Sequence, residues 1–123
     1  MNRQVVRAAV IDVVVVVVFV LIGRRNHDEG TSASGVLGTA APFLIALVAT
    51  WAAGRVWRSP VATNTGFIVW AGTVAVGMVL RRFVFDDGTA TAFVIVATVF
   101  LGAGLTLPRL ALRHRSFRNN LER

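Results

Sequence analysis

Asp12 stands alone as an acid in an apolar run that extends from Val5 to Gly23. If a bilayer span begins at Val5, a rise of about 1.5 Å per residue puts the carboxylate roughly 10 Å inside the near boundary. A span begun after Asp12 would keep only about 11 residues, ~17 Å, too short for a hydrocarbon core of ~30 Å. An intramembrane Asp costs about 2.5–3.5 kcal/mol on the insertion scale, and each Val, Ile, Leu or Phe returns about 0.3–0.6. Fourteen such residues share the run, so the helix inserts and takes its acid with it. Two chemistries suit a carboxylate so placed. Facing a cavity, it is a protonatable or cation-binding group. Facing another helix, it is a polar contact bonded to a Thr, a Trp, a backbone group or an Arg of a neighbouring chain.

A second set of residues recurs at helical spacing. Gly66, Trp70, Thr73, Gly77 and Arg81 fall on one face of a helix, a small and polar stripe that ends in a cation. Such a stripe either lets two helices approach closely or walls a narrow polar cavity. Thr98, Gly102 and Thr106 form a similar seam, and Gly35 with Thr39 begins another. Arg24 and Arg81 precede acidic phrases, where they would either meet an anion at a pore mouth or form ion pairs and caps. His27, next to Asp28, is a proton relay or pH sensor by residue type and a solvated loop residue by position. Asp12, Arg24, His27, Trp70, Thr73 and Arg81 are therefore the candidate substrate- or ion-binding residues. Trp51 and Trp57 fall near the end of an apolar run, where aromatic anchors of the membrane interface are expected.

The elements that must position these groups are four apolar runs, at about 5–23, 35–54, 61–80 and 89–107. Over 123 residues, 55% are hydrophobic, 15% are charged and mean hydropathy is +0.69. A soluble domain this small would carry nearer a quarter charged residues. Only helices and closed barrels satisfy their backbone in lipid, and runs of about 20 residues are helical in length. The expected fold is all-α: one integral membrane domain over residues 1–123, a four-helix bundle of two helical hairpins. Thr31, Ser32 and Ser34 offer caps for the second helix, with Asp28 and Glu29 near its positive end, and Asp86, Asp87 and Thr89 do so for the fourth. Pro42 should kink the second helix, Pro60 separates the second from the third, and Pro108 is expected to end the fourth. Residues 108–123 then form a basic amphipathic tail.

Arg24-Arg25-Asn26-His27-Asp28-Glu29-Gly30-Thr31 is echoed by Arg81-Arg82-Phe83-Val84-Phe85-Asp86-Asp87-Gly88-Thr89, each phrase joining two apolar runs. If the echo marks a duplication, the hairpins share one topology and an axis along the membrane normal. Four spans put both termini and the central connection on one side with nine arginines, against four on the other. The positive-inside rule then places both termini in the cytoplasm, with the protein in the cell's inner membrane. The basic residues sit at span ends, so anionic lipid headgroups rather than nucleic acid are the expected partner. With no Cys and only two His, thiolate chemistry is excluded and no metal or other cofactor is expected. No nucleophile–base pair or phosphate loop is visible, so an enzyme is not expected.

Asp12, Gly23-Arg24-Arg25-Asn26-His27-Asp28, Gly35-Val36-Leu37-Gly38-Thr39-Ala40-Ala41-Pro42-Phe43, Val69-Trp70, Gly77-Met78-Val79-Leu80-Arg81-Arg82 and Ala92-Phe93-Val94-Ile95-Val96-Ala97 together carry a resemblance. From about Asp12 to Leu107 the chain resembles the small four-helix bacterial membrane proteins described only as a domain of unknown function. That resemblance implies architecture and membrane location, and no mechanism. Two functions remain open. One is a small transporter or channel, a homo-oligomer because four helices enclose little cavity, with Asp12 as coupling group. The other is a membrane scaffold that organises a partner or lipid, with Asp12 as a packing contact.

Overall fold

The computed structural model describes residues 3–26, 32–86 and 91–121, with only the backbone of Asn26, Arg113 and residues 115–121. His27, Asp28, Glu29, Thr31, Asp87 and Thr89, named above as a candidate site residue and as caps, lie outside the described residues. The chain forms four long helices: α1 (Arg3–Asn26), α2 (Ala33–Gly54), α3 (Thr63–Phe83) and α4 (Thr91–Leu121). A single 3-10 turn, Val56–Arg58, links α2 to α3. All four helices are long and apolar enough to cross a membrane. There is no strand among the described residues.

The helices pack around a ring, α1 on α2, α2 on α3, α3 on α4 and α4 back on α1, with α2 against α3 the most extensive. Each helix buries one stripe and turns the rest outward, as a bundle in lipid must. On α1 the buried stripe is Val5, Ala8, Asp12, Val16, Phe19 and Val20, while Val10, Val14, Val18 and Ile22 are exposed. Asp12 therefore holds a core register position and points into the bundle. Glycines set the closeness of the other seams. A Cβ on Gly72 would collide with the Thr50 side chain, and one on Gly77 would lie 2.5 Å from the Phe43 ring. On α4, a Cβ at Gly104 would lie 2.5 Å from Val15 of α1.

Helix ends follow the local signals. Ser32 caps α2, its hydroxyl accepting from the Gly35 N–H at 3.2 Å, and Arg24–Arg25 and Arg81–Arg82 close α1 and α3. Cations there meet the negative end of the helix dipole. Pro108 departs from its signal and lies inside α4 instead of ending it. Apolar residues continue past it to Leu112, and a helix surrounded by lipid has no better place for its backbone than the helix itself. At 31 residues, α4 is ~46 Å long, about half as long again as a hydrocarbon core. The boundary between span and tail thus falls beyond Arg109, and this relocates one arginine into the bundle.

Candidate functional site

Asp12 is fully buried, and so, at 2% exposure, is Arg109. The two meet head-on: Arg109 Nη1 donates to Asp12 Oδ1 at 2.6 Å and Nη2 to Oδ2 at 2.7 Å. This is the bidentate fork that matches a guanidinium to a carboxylate. Trp51 Nε1 adds a third donor to Oδ2 at 2.9 Å. Arg109 is satisfied in turn, since Nε donates to the Pro60 carbonyl and Nη1 to the Leu105 carbonyl, both at 2.8 Å. One centre thereby joins α1, α2, the α2–α3 connection and α4. The third helix contributes space: a Cβ on Gly66 would lie 3.2 Å from Arg109 Cδ, so the arginine stem runs over a glycine.

Local sequence explains how a residue next to a proline comes to lie there. Side chains on a helix point back toward its N-terminus, which returns the guanidinium about one turn, to the level of Leu105. Pro108 has no N–H to give the Gly104 carbonyl, and its ring crowds that turn. The arginine supplies a side-chain donor to the next carbonyl along, that of Leu105. Pro108 and Arg109 act together: the first loosens the backbone ladder, and the second adds a side-chain donor to the neighbouring Leu105 carbonyl while turning its charge inward.

The other candidate residues lie apart from this centre. Arg24 is twelve residues further along α1, ~18 Å away along the axis. Its Nη1 donates to Thr39 Oγ1 at 2.8 Å, and it fits there because position 35 is glycine; a Cβ would lie 2.6 Å from Nη2. Arg81 lies over the Phe93 ring, 4.2 Å from its centroid, a cation–π arrangement. Between these arginines and Asp12 stands a group of phenylalanines from three helices. Phe19 lies 5.9 Å from Phe43, 5.8 Å from Phe93 and 5.7 Å from Phe100, ring centre to ring centre, and Phe43 lies 6.1 Å from Phe93. The structure thus places Asp12 in one polar layer and Arg24 and Arg81 in another, with an aromatic layer between them.

The α3 stripe is built into helix contacts. The Trp70 N–H donates to the Thr98 carbonyl at 2.9 Å, and a Cβ on Gly102 would lie 2.9 Å from the Trp70 ring. Gly66 receives Arg109, Gly77 receives Phe43, and Arg81 covers Phe93. Thr73 is buried, and its hydroxyl has no partner among the described residues. Along α4, the hydroxyls of Thr98 and Thr106 donate back to the carbonyls of Val94 and Gly102.

Two members of the centre differ from their expected roles. Arg109, counted above with the tail, is a core residue, and Trp51, expected as an interface anchor, gives its N–H to the buried acid. Both were signalled. An acid inside lipid needs a donor, and Arg109 is the arginine flanked on both sides by leucines of an apolar run, Leu107 and Leu110.

The family described as "Protein of unknown function (DUF3054)" matches residues 9–112, and the chain belongs to it. The matched stretch begins just before Asp12 and extends past Arg109, so it contains the whole buried centre. No curated protein and no solved structure matches the chain.

Proposed function

We propose that this member of the DUF3054 family is a non-enzymatic membrane scaffold, whose Asp12–Arg109–Trp51 centre locks the helices into one arrangement. The observation that carries this reading is the occupancy of the carboxylate. Both Asp12 oxygens accept charged or indole donors from the same chain, and no second copy is needed to complete them. A transported cation would have to displace a bidentate guanidinium that is itself held by two carbonyls. The aromatic layer also separates Asp12 from Arg24 and Arg81, which a polar route across the bundle would have to connect. Of the two functions open from sequence, packing contact is better supported than coupling group.

The scaffold would sit in the inner membrane with both termini in the cytoplasm. Arg109 is neutralised by Asp12, which leaves eight arginines on the terminal side against four on the other. Arg3, Arg7, Arg55 and Arg58 are exposed at that end, where anionic headgroups would surround them. Liposome flux is the deciding experiment. Purified protein should carry no more proton or cation current than protein-free vesicles across a pH gradient. A pH-driven flux that disappears in a folded Asp12→Asn variant would overturn the scaffold reading and restore the transporter.

A further inference from the structure

The turn between α2 and α3 has a backbone feature that its sequence could have avoided. Arg55 follows Gly54 at the end of α2 and adopts the left-handed conformation, with φ 48° and ψ 50°. Glycine is the residue that usually takes this position after a helix, and a side chain there is strained. In this chain the glycine comes one residue earlier, and the strained position is given to an arginine.

The turn also pairs that arginine with a second. The Arg58 N–H donates to the Arg55 carbonyl at 3.0 Å, and the Ser59 N–H to the Val56 carbonyl at 3.1 Å. Closure of such a four-residue turn holds its end Cα atoms within about 7 Å, so two guanidiniums can reach one anionic group. Val56, 2% exposed, pins the turn to the core. Arg55 and Arg58 stay exposed, and neither is ion-paired to any described residue. Between them Trp57 is 48% exposed, an indole at the level where the chain leaves the bilayer. The α2 dipole would account for one cation at its C-terminus. It does not account for the second, or for an exposed tryptophan flanked by both.

We infer that Arg55, Trp57 and Arg58 form a binding site for the phosphodiester of an anionic phospholipid, the guanidiniums taking the phosphate and the indole lying against the glycerol and upper acyl chain. The exposed indole selects a lipid over a soluble phosphate, because it gains nothing from a ligand without an apolar portion. This inference deepens the scaffold reading by naming a partner, and depends on it only in that the bundle lies in lipid. Failure of the site leaves the role of Asp12 untouched, and flux through Asp12 leaves the turn untouched.

The test is fluorescence quenching in reconstituted vesicles of phosphatidylcholine and phosphatidylglycerol, with bromine on the chains of one lipid or the other. Brominated phosphatidylglycerol should quench more than brominated phosphatidylcholine at equal mole fraction, and Trp57→Phe should remove the difference. Arg55→Gly and Arg58→Gln should each lower the relative affinity for phosphatidylglycerol roughly fivefold. Arg55→Gly should fold at least as stably as the parent, since glycine relieves the strained conformation. Arg3→Gln, a charge removed at the same end but outside the turn, contributes to the general surface field and not to the lipid seated against Trp57, so it should leave the preference largely unchanged. Unchanged preference in both turn variants, or an equal loss in Arg3→Gln, overturns the site. Abolition of the preference by soluble glycerol phosphate overturns the lipid as its ligand.

Discussion

Replacing Asp12 by Asn removes one charge and almost no volume, and its consequence can be worked out atom by atom. The carboxylate accepts three donors: two from Arg109 and one from Trp51. An amide has one acceptor oxygen and presents an NH2 group where Oδ1 or Oδ2 stood. One Arg109 N–H, or that N–H together with the indole, therefore faces a donor instead of an acceptor. Arg109 remains charged, being an arginine, and it is buried at 2% exposure. Removing one partner of a buried pair costs about 3–5 kcal/mol. The Pro60 and Leu105 carbonyls still hold the guanidinium, which puts the expected loss near ~3 kcal/mol, at the lower end of that range. Equilibrium unfolding in mixed micelles should show this loss against the parent chain. Changing both residues, Asp12→Val with Arg109→Met, removes the stranded charge as well, and apolar replacement of a whole buried pair is often neutral or stabilising. The double variant should therefore be more stable than Asp12→Asn. A loss below ~1 kcal/mol in Asp12→Asn, the range of exposed ion pairs, would refute a buried locking role, as would a double variant less stable than the single.

Further outcomes follow from the same geometry. Arg109→Lys keeps the charge but loses the fork and the donor to Pro60, so unfolding should show a stability between those of the parent and Asp12→Asn. Trp51→Phe removes one donor to a charged acceptor and should cost about 1.5–3 kcal/mol in the same measurement. Gly77→Ala drives a methyl group into Phe43, 2.5 Å from its ring, and should cost about 1–3 kcal/mol through overpacking. Gly38→Ala meets nothing within 4 Å and should be neutral or stabilising by up to about 1 kcal/mol.

The four helices and the isolation of Asp12 were legible because both depend on composition over a long window. A run of apolar residues reports a span whatever it packs against, and an acid inside it stands out without a structure. The partner was less legible. Arg109 lies 97 residues from Asp12 in sequence, and Pro108 beside it is a helix-stop signal in water. In lipid that signal weakens, because ending a helix exposes backbone groups that nothing can satisfy. The apolar stretch from Thr91 to Leu112 was the better guide to how far the span extends within α4. Trp51 was ambiguous for a related reason: an interfacial indole and a core indole look alike in sequence, and only the buried acid beside it decides. The left-handed Arg55 was hidden altogether, since the preceding Gly54 is the residue that a pattern would assign to that turn.

The position of the ion pair is explained by what α1 lacks. Between helices in lipid there is no hydrophobic drive to associate, and close packing or polar contact must supply it. The α2–α3 and α3–α4 seams have glycines on α3 and α4 that let side chains sink onto backbone, at Gly72 and Gly77 and at Gly102. The buried stripe of α1 contains no glycine: it is Val5, Ala8, Asp12, Val16, Phe19 and Val20. Apart from Arg24 over Gly35 at its far end, its close approach to backbone is provided by α4, where Gly104 accommodates Val15. One turn further along α4 the proline–arginine pair presents the cation that α1 needs for its acid. Asp12 and Arg109 each raise the cost of inserting their own helix, and that cost falls only when the first and last helices meet. The pair therefore favours the one arrangement in which the ring of four is closed, and it does so at the seam with the least to offer by packing alone.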